Sequence, residues 1–97
     1  MCKRTDCFNK LHAVAPILRN EFGVNSLCIF GSIARGDYST DSDIDVFVDM
    51  PPKAMQLLSL KNYLQDLLGM AVDIVRKHPN LDPFLLRLIS RDGVYIF

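Results

Sequence analysis

The spacing of apolar residues changes period several times along the chain, and each change marks an element. Phe8, Leu11, Ala15, Leu18 and Phe22 recur at helical spacing and predict a helix that Gly23 stops. Pro16 lies inside that pattern and predicts a kink or a split into two helices. Leu27 to Phe30 reads as a short strand, Ile33 to Arg35 as a single helical turn, and Gly36 to Ser42 as a loop. From Ile44 to Asp49 the period becomes two. Ile44, Val46 and Val48 are core candidates, and the alternate positions begin with acids.

Pro51 and Pro52 end that strand and introduce a helix from Lys53 to Leu68. Leu57, Leu60, Leu64, Leu67 and Leu68 form its apolar face, and Gly69 caps it. Met70 to Val75 is a third strand with Val72 and Ile74 toward the core and Ala71, Asp73 and Val75 on the other side. Asp82 followed by Pro83 is a helix start, predicting a helix to Ser90 that buries Leu81, Phe84, Leu85, Leu88 and Ile89. Val94 to Phe97 is a short final strand or an apolar terminus that docks on a partner. With no linker and no repeat, residues 1–97 are expected to form one domain of α/β (α+β) class. A small mixed sheet would carry helices on one face, leaving the other, with Asp43, Asp45 and Asp73, open for an active site.

Composition narrows the function classes. A chain of 97 residues, 49% hydrophobic and 9% aromatic, supports one core, not disorder, and leaves no second lobe to recognise an acceptor. Net charge is zero, so a general grip on nucleic acid is not indicated. Asp37, Asp41, Asp43, Asp45 and Asp49 cluster, whereas Arg76, Lys77, Arg87 and Arg91 gather later. That split suits a metal site plus a partner-facing or phosphate-facing patch, or else ordinary solvated helix charge. Cys2, Cys7 and Cys28 follow no metal-ligand spacing, and Cys28 reads as a small core residue. The absence of a signal peptide or a long apolar run predicts a cytoplasmic chain with reduced thiols and no membrane contact.

The chemistry concentrates in Phe30 to Asp49, FGSIARGDYSTDSDIDVFVD. Gly31 allows close backbone approach to a ligand, and Ser32 adds a hydroxyl and an N–H where an anion would bind. Asp43 and Asp45, two apart on a strand, would face one object. Their mutual repulsion is most simply relieved by a divalent cation. A phosphate cradle beside an acidic pair points to metal-assisted nucleotide chemistry.

The pattern Gly31-Ser32, ten residues, Asp43-x-Asp45, with Ala34-Arg35-Gly36 after the first pair, resembles the signature of the DNA polymerase beta superfamily of nucleotidyltransferases. It is most similar to the branch of minimal nucleotidyltransferases that includes MntA-type antitoxins encoded beside HEPN-domain toxins. The later VDIV around Asp73 and the closing GVYIF fall where that family has them. The resemblance implies the polymerase-beta-like fold, two magnesium ions, ATP as substrate and a HEPN-toxin partner. It also implies Asp73 as the third acid, which either ligates metal or helps deprotonate the acceptor hydroxyl.

From the residues alone, Asp73 between Val72 and Ile74 is on an open face, serving a metal, or an edge-strand acid in water. Asp41 reads as a turn cap, Asp37 as a solvated loop residue and Asp49 as structural. His12 and His78 stand apart from any ligand cluster. Arg35 either contacts nucleotide phosphate or the partner, or pairs with the acidic loop. Together with the resemblance, the expected activity is transfer of AMP from ATP to a protein hydroxyl, a tyrosine of a HEPN toxin. Gly31, Ser32 and Arg35 are the nucleotide-binding candidates, and Asp43, Asp45 and Asp73 the metal and catalytic ones. Two alternatives remain open: an antitoxin acting by contact alone, and transfer to a small molecule, which needs a substrate lobe that only a homo-oligomer would supply.

Overall fold

The computed structural model describes residues 3–31 and 44–97, with the side chains of residues 3–5 left aside. The first apolar pattern is divided as Pro16 requires. Helix α1 covers Lys3–Ala13, and α2 covers Ala15–Glu21 with the proline in its first turn, where a missing N–H costs nothing. Strand β1 (Ser26–Phe30) follows, then β2 (Ile44–Asp49), α3 (Ala54–Leu68), β3 (Val72–Arg76), α4 (Pro83–Asp92) and β4 (Val94–Tyr95). The short turn expected at Ile33–Arg35 and the Gly36–Ser42 loop lie outside the described residues.

Local signals account for the ends of the later helices. Gly69 adopts φ 70° after α3 and its N–H returns to the Gln65 carbonyl at 2.8 Å, which closes the last turn. At the start of α4, the Asp82 carboxylate accepts from the Phe84 N–H at 2.9 Å, with Pro83 in the first turn.

The sheet order is β3-β2-β1-β4. β1 pairs antiparallel with β2 and with β4, while β2 and β3 run parallel, the crossover between them being α3. The tail belongs to the sheet: Ile96 N–H donates to Leu27 C=O at 2.8 Å and Leu27 N–H to Phe97 C=O at 3.2 Å. This resolves the choice between a strand and a partner-docking terminus in favour of the strand.

Strand alternation creates two apolar bodies. Leu27, Ile29, Ile44, Val46, Val48 and Val72 point to one side, where Leu11, Leu18, Leu60 and Leu64 of the first three helices cover them. Cys28, Phe30 and Phe47 point to the other and meet Leu81 and Ile89, with Val75 and Leu85 alongside. The fold class is as expected, a mixed sheet with α and β segments interleaved. The acid-bearing face is nevertheless not bare, because α4 roofs part of it. Phe84 is a core candidate by sequence. It is 65% exposed, because the Asp82 cap sets the phase of α4 so that Leu85 and Ile89 take the inward positions.

Candidate active site

Register brings the acids together. Asp45 lies opposite Phe30 on β1 and opposite Asp73 on β3, so Phe30, Asp45 and Asp73 form one row across three strands, their side chains on one face. Neighbouring strands are separated by about 4.8 Å, so Asp45 and Asp73 are direct neighbours on that face. Asp45 is half-buried and Asp73 exposed. Of the readings for Asp73, the structure selects an edge strand that is also in register with Asp45.

Gly31 completes this row. It follows Phe30 at the end of β1 with φ 79°, a conformation that L side chains rarely adopt. A Cβ at this position would collide with the Asp45 carboxylate, so the backbone of Gly31 packs directly on that acid. The glycine serves two needs at once, turning the chain and leaving room for a carboxylate. Asp43, Ser32 and Arg35, the remaining candidates, lie outside the described residues, as do Asp37 and Asp41.

Other candidates separate from the site. The imidazole Nδ1 of His78 accepts from the Asn80 N–H at 3.2 Å and belongs to a turn, and His12 is exposed on α1. Arg91 pairs with Asp92 at 3.1 Å on the surface of α4. Arg76 is at the sheet edge, where its guanidinium donates to the carbonyls of Met50 and Lys77. Arg76 and Arg91 thus sit on different elements, the sheet edge and α4. Cys28 is buried beneath α4 and its thiol is pushed above its ordinary value by that burial, partly offset by a hydrogen bond with the Val94 backbone. Cys7 is likewise buried.

One feature beside Asp73 was not read from the sequence. A hollow of about 260 Å³ runs along the outer edge of β3, lined by Leu57, Leu58, Lys61, Asp73, Ile74 and Arg76. Lys61 lies one helical turn beyond Leu57, and Arg76 has the same strand parity as Ile74. Placing them together requires knowing that β3 is an edge strand packed on α3.

The family model described as "Polymerase beta, Nucleotidyltransferase" matches residues 12–97. The chain belongs to this nucleotidyltransferase family. Among its relatives is the protein adenylyltransferase MntA of Thermococcus cleftensis, 38% identical over 81 residues and aligned over 81% of each chain. A solved structure described provisionally as a minimal nucleotidyltransferase superposes with a TM-score of 0.76 at 30% identity, covering 97% of this chain and 95% of the other. The same fold recurs at 18% identity and TM-score 0.67 in a complex of tri-AMPylated Shewanella oneidensis HEPN toxin with its MNT antitoxin, covering 97% of this chain and 71% of that one. The family expected from the Gly31-Ser32 and Asp43-x-Asp45 spacing is thus borne out. Among the described residues no helix is long and apolar enough to cross a membrane.

Proposed function

We propose that this nucleotidyltransferase moves AMP from ATP to a tyrosine hydroxyl of a HEPN-domain toxin and so acts as the antitoxin of a toxin–antitoxin pair. The observation that carries the reading is the in-register placement of Asp45 and Asp73 with Gly31 packed on Asp45. The relative named MntA is a protein adenylyltransferase, and the HEPN toxin in the Shewanella complex carries AMP groups.

An oxygen-only donor set of adjacent carboxylates fits magnesium, which is hard and prefers oxygen ligands. Asp45 and Asp73, with Asp43 two positions earlier in the chain, are the residues that would hold two such ions. Bound there, the ions would supply charge neutralisation for the triphosphate. The chain's own contribution follows from its residues. Gly31 presents backbone to the terminal phosphates without a side chain in the way, Ser32 adds a hydroxyl donor, and Arg35 a cation. Asp73 is exposed at the sheet edge and would accept the proton of the acceptor hydroxyl. The hydroxyl oxygen forms a bond to the α-phosphorus, the α–β anhydride bond breaks, and diphosphate leaves with the electron pair.

Mass spectrometry of a co-expressed HEPN toxin tests this. The parent chain should add one or more adenylyl groups to a tyrosine, and Asp73→Asn should largely lose the transfer while still co-purifying with the toxin. Full protection of cells by Asp43→Asn, Asp45→Asn and Asp73→Asn alike would mean that contact alone neutralises the toxin.

A further inference from the structure

The outer edge of β3 combines three properties beside Asp73. The first is an unused hydrogen-bonding edge. Ala71 C=O accepts from Ile44 N–H at 2.9 Å and Lys77 N–H donates to Val48 C=O at 2.8 Å. Parallel ladders alternate, so Ala71, Asp73, Val75 and Lys77 turn their backbone groups toward β2, and Val72, Ile74 and Arg76 turn theirs outward. Val72 N–H is met by the Gln65 side-chain oxygen at 3.2 Å. Among the described residues nothing meets the outward N–H and C=O of Ile74. The second property is apolar wall: Leu57, Leu58 and Ile74 line the hollow, and Leu58 is 54% exposed. The third is charge. Lys61 and Arg76 face the same space, Arg76 being held in place by the carbonyls of Met50 and Lys77.

We propose that this groove seats an extended segment of the acceptor protein as an added strand on β3, presenting an apolar residue to Leu57 and Leu58 and an acidic residue to Lys61 and Arg76. Main-chain pairing to an exposed edge supplies affinity, and pockets for alternate side chains supply selection. Alternation then fixes a pattern. The residue beside Ile74 faces α3 and is apolar. Its neighbour turns to the opposite sheet face, the one that carries Asp73 and Val75, and bears the hydroxyl. The next residue again faces α3, near the two cations, and is acidic. The choice of a tyrosine for the hydroxyl position rests on the adenylyl-transfer reading above, whereas the groove itself does not.

The probes are two labelled nine-residue peptides with Leu-Tyr-Glu or Leu-Tyr-Lys at the centre of a neutral spacer. Binding is followed by fluorescence anisotropy without ATP, and AMP incorporation is measured separately by mass. The parent chain should bind the Glu peptide about fivefold more tightly than the Lys peptide, the size of an exposed ion pair. Lys61→Glu should abolish or reverse that preference, and Leu58→Asp should weaken both peptides about tenfold as the apolar contact is lost. Exchange of the Ile74 amide should slow when the Glu peptide binds. Both substitutions are at the surface, and unchanged circular dichroism melts would confirm folding. Equal binding of both peptides by the parent and both variants overturns the proposal. So does a dimer in sedimentation that Leu58→Asp dissolves while neither peptide binds, since the edge would then serve a second copy. Binding as expected without AMP transfer would instead remove the adenylyl-transfer reading and leave the groove standing.

Discussion

Two adjacent rows on one sheet face have opposite characters. Phe30, Asp45 and Asp73 form the first; Cys28, Phe47 and Val75, one pleat repeat further along the strands, form the second. The second row is roofed by Leu81, Leu85 and Ile89 and holds Phe47 at 5% exposure. The first row shares that cover at Phe30, but among the described residues none lies over Asp73, which is exposed. A shift of two residues along the strands therefore separates a packed apolar layer from a pair of carboxylates. The packed row fixes the positions of β2 and β3, and the acid row inherits that alignment. Packing is dense in one row, and the other leaves its edge carboxylate open to water.

The largest effect should come from making the packed row resemble the acid one. Phe47→Asp removes an aromatic ring from beneath α4 and leaves a charge without a partner. It is expected to cost at least about 3–5 kcal/mol, enough to unfold a small domain, as read from urea denaturation. Survival of a cooperative transition near the parent midpoint would show that α4 does not seal this row.

Next comes the junction of the acid row with β1. Gly31→Ala forces a side chain into a left-handed conformation, at about 1–2 kcal/mol, and pushes the Asp45 carboxylate aside. Nucleotide transfer should fall about a hundredfold, since a displacement near 1 Å has that consequence for positioned groups. Parent-like turnover would mean that Asp45 need not remain where it is.

A smaller effect, opposite in sign, distinguishes the rows more sharply. Asp45→Asn or Asp73→Asn removes one of two like charges in register. The metal-free protein should gain up to about 0.5 kcal/mol in thermal or chemical denaturation while magnesium-dependent pyrophosphate release is lost. Undiminished turnover in either variant would exclude the shared-metal role.

The smallest effect belongs to Cys28. Burial raises its thiol above the ordinary value of 9.0, so the unfolded chain ionises first. The stabilisation is fully present below that value and is lost as pH rises through it toward the folded value. Stability of the parent should thus decline more steeply above pH 9 than that of Cys28→Ala. Parallel alkaline limbs in the two proteins would show that the thiol does not report the packing under α4.

The strands and helices were legible because their signals are local. Alternation from Ile44 to Asp49, the Pro51-Pro52 break, Gly69 and the Asp82-Pro83 pair each act within a few residues. The expected strand Ile44–Asp49 matches β2 at both ends. Residue parity also placed Asp73 on the same side as Val75, but the row it shares with Asp45 is a register, which depends on how β3 docks beside β2. Likewise the apolar content of α4 marks Phe84 as a core residue, whereas the phase imposed by the Asp82 cap turns it outward. The hollow at the edge of β3 was invisible for a related reason: Leu57 and Leu58, Lys61, Ile74 and Arg76 come from two elements whose mutual placement is tertiary. Ser32, Arg35 and Asp43 carry the motif in sequence and lie outside the described residues, so the spacing remains the basis for their proposed roles.

The parallel pairing of β2 with β3 also has a kinetic meaning. Asp45 and Asp73 are far apart in sequence and are joined only through the whole α3 crossover, so they meet after a long loop has closed and the helix has docked. β1 and β2 can pair with Gly31 already near Asp45, but the second acid arrives with the edge strand, which has a sheet neighbour on one side only. The acid row is therefore assembled in two stages, with its exposed member last in folding and first to leave in partial opening. A chain whose edge strand has peeled away would retain most of its helices while Asp45 stands without its in-register neighbour Asp73.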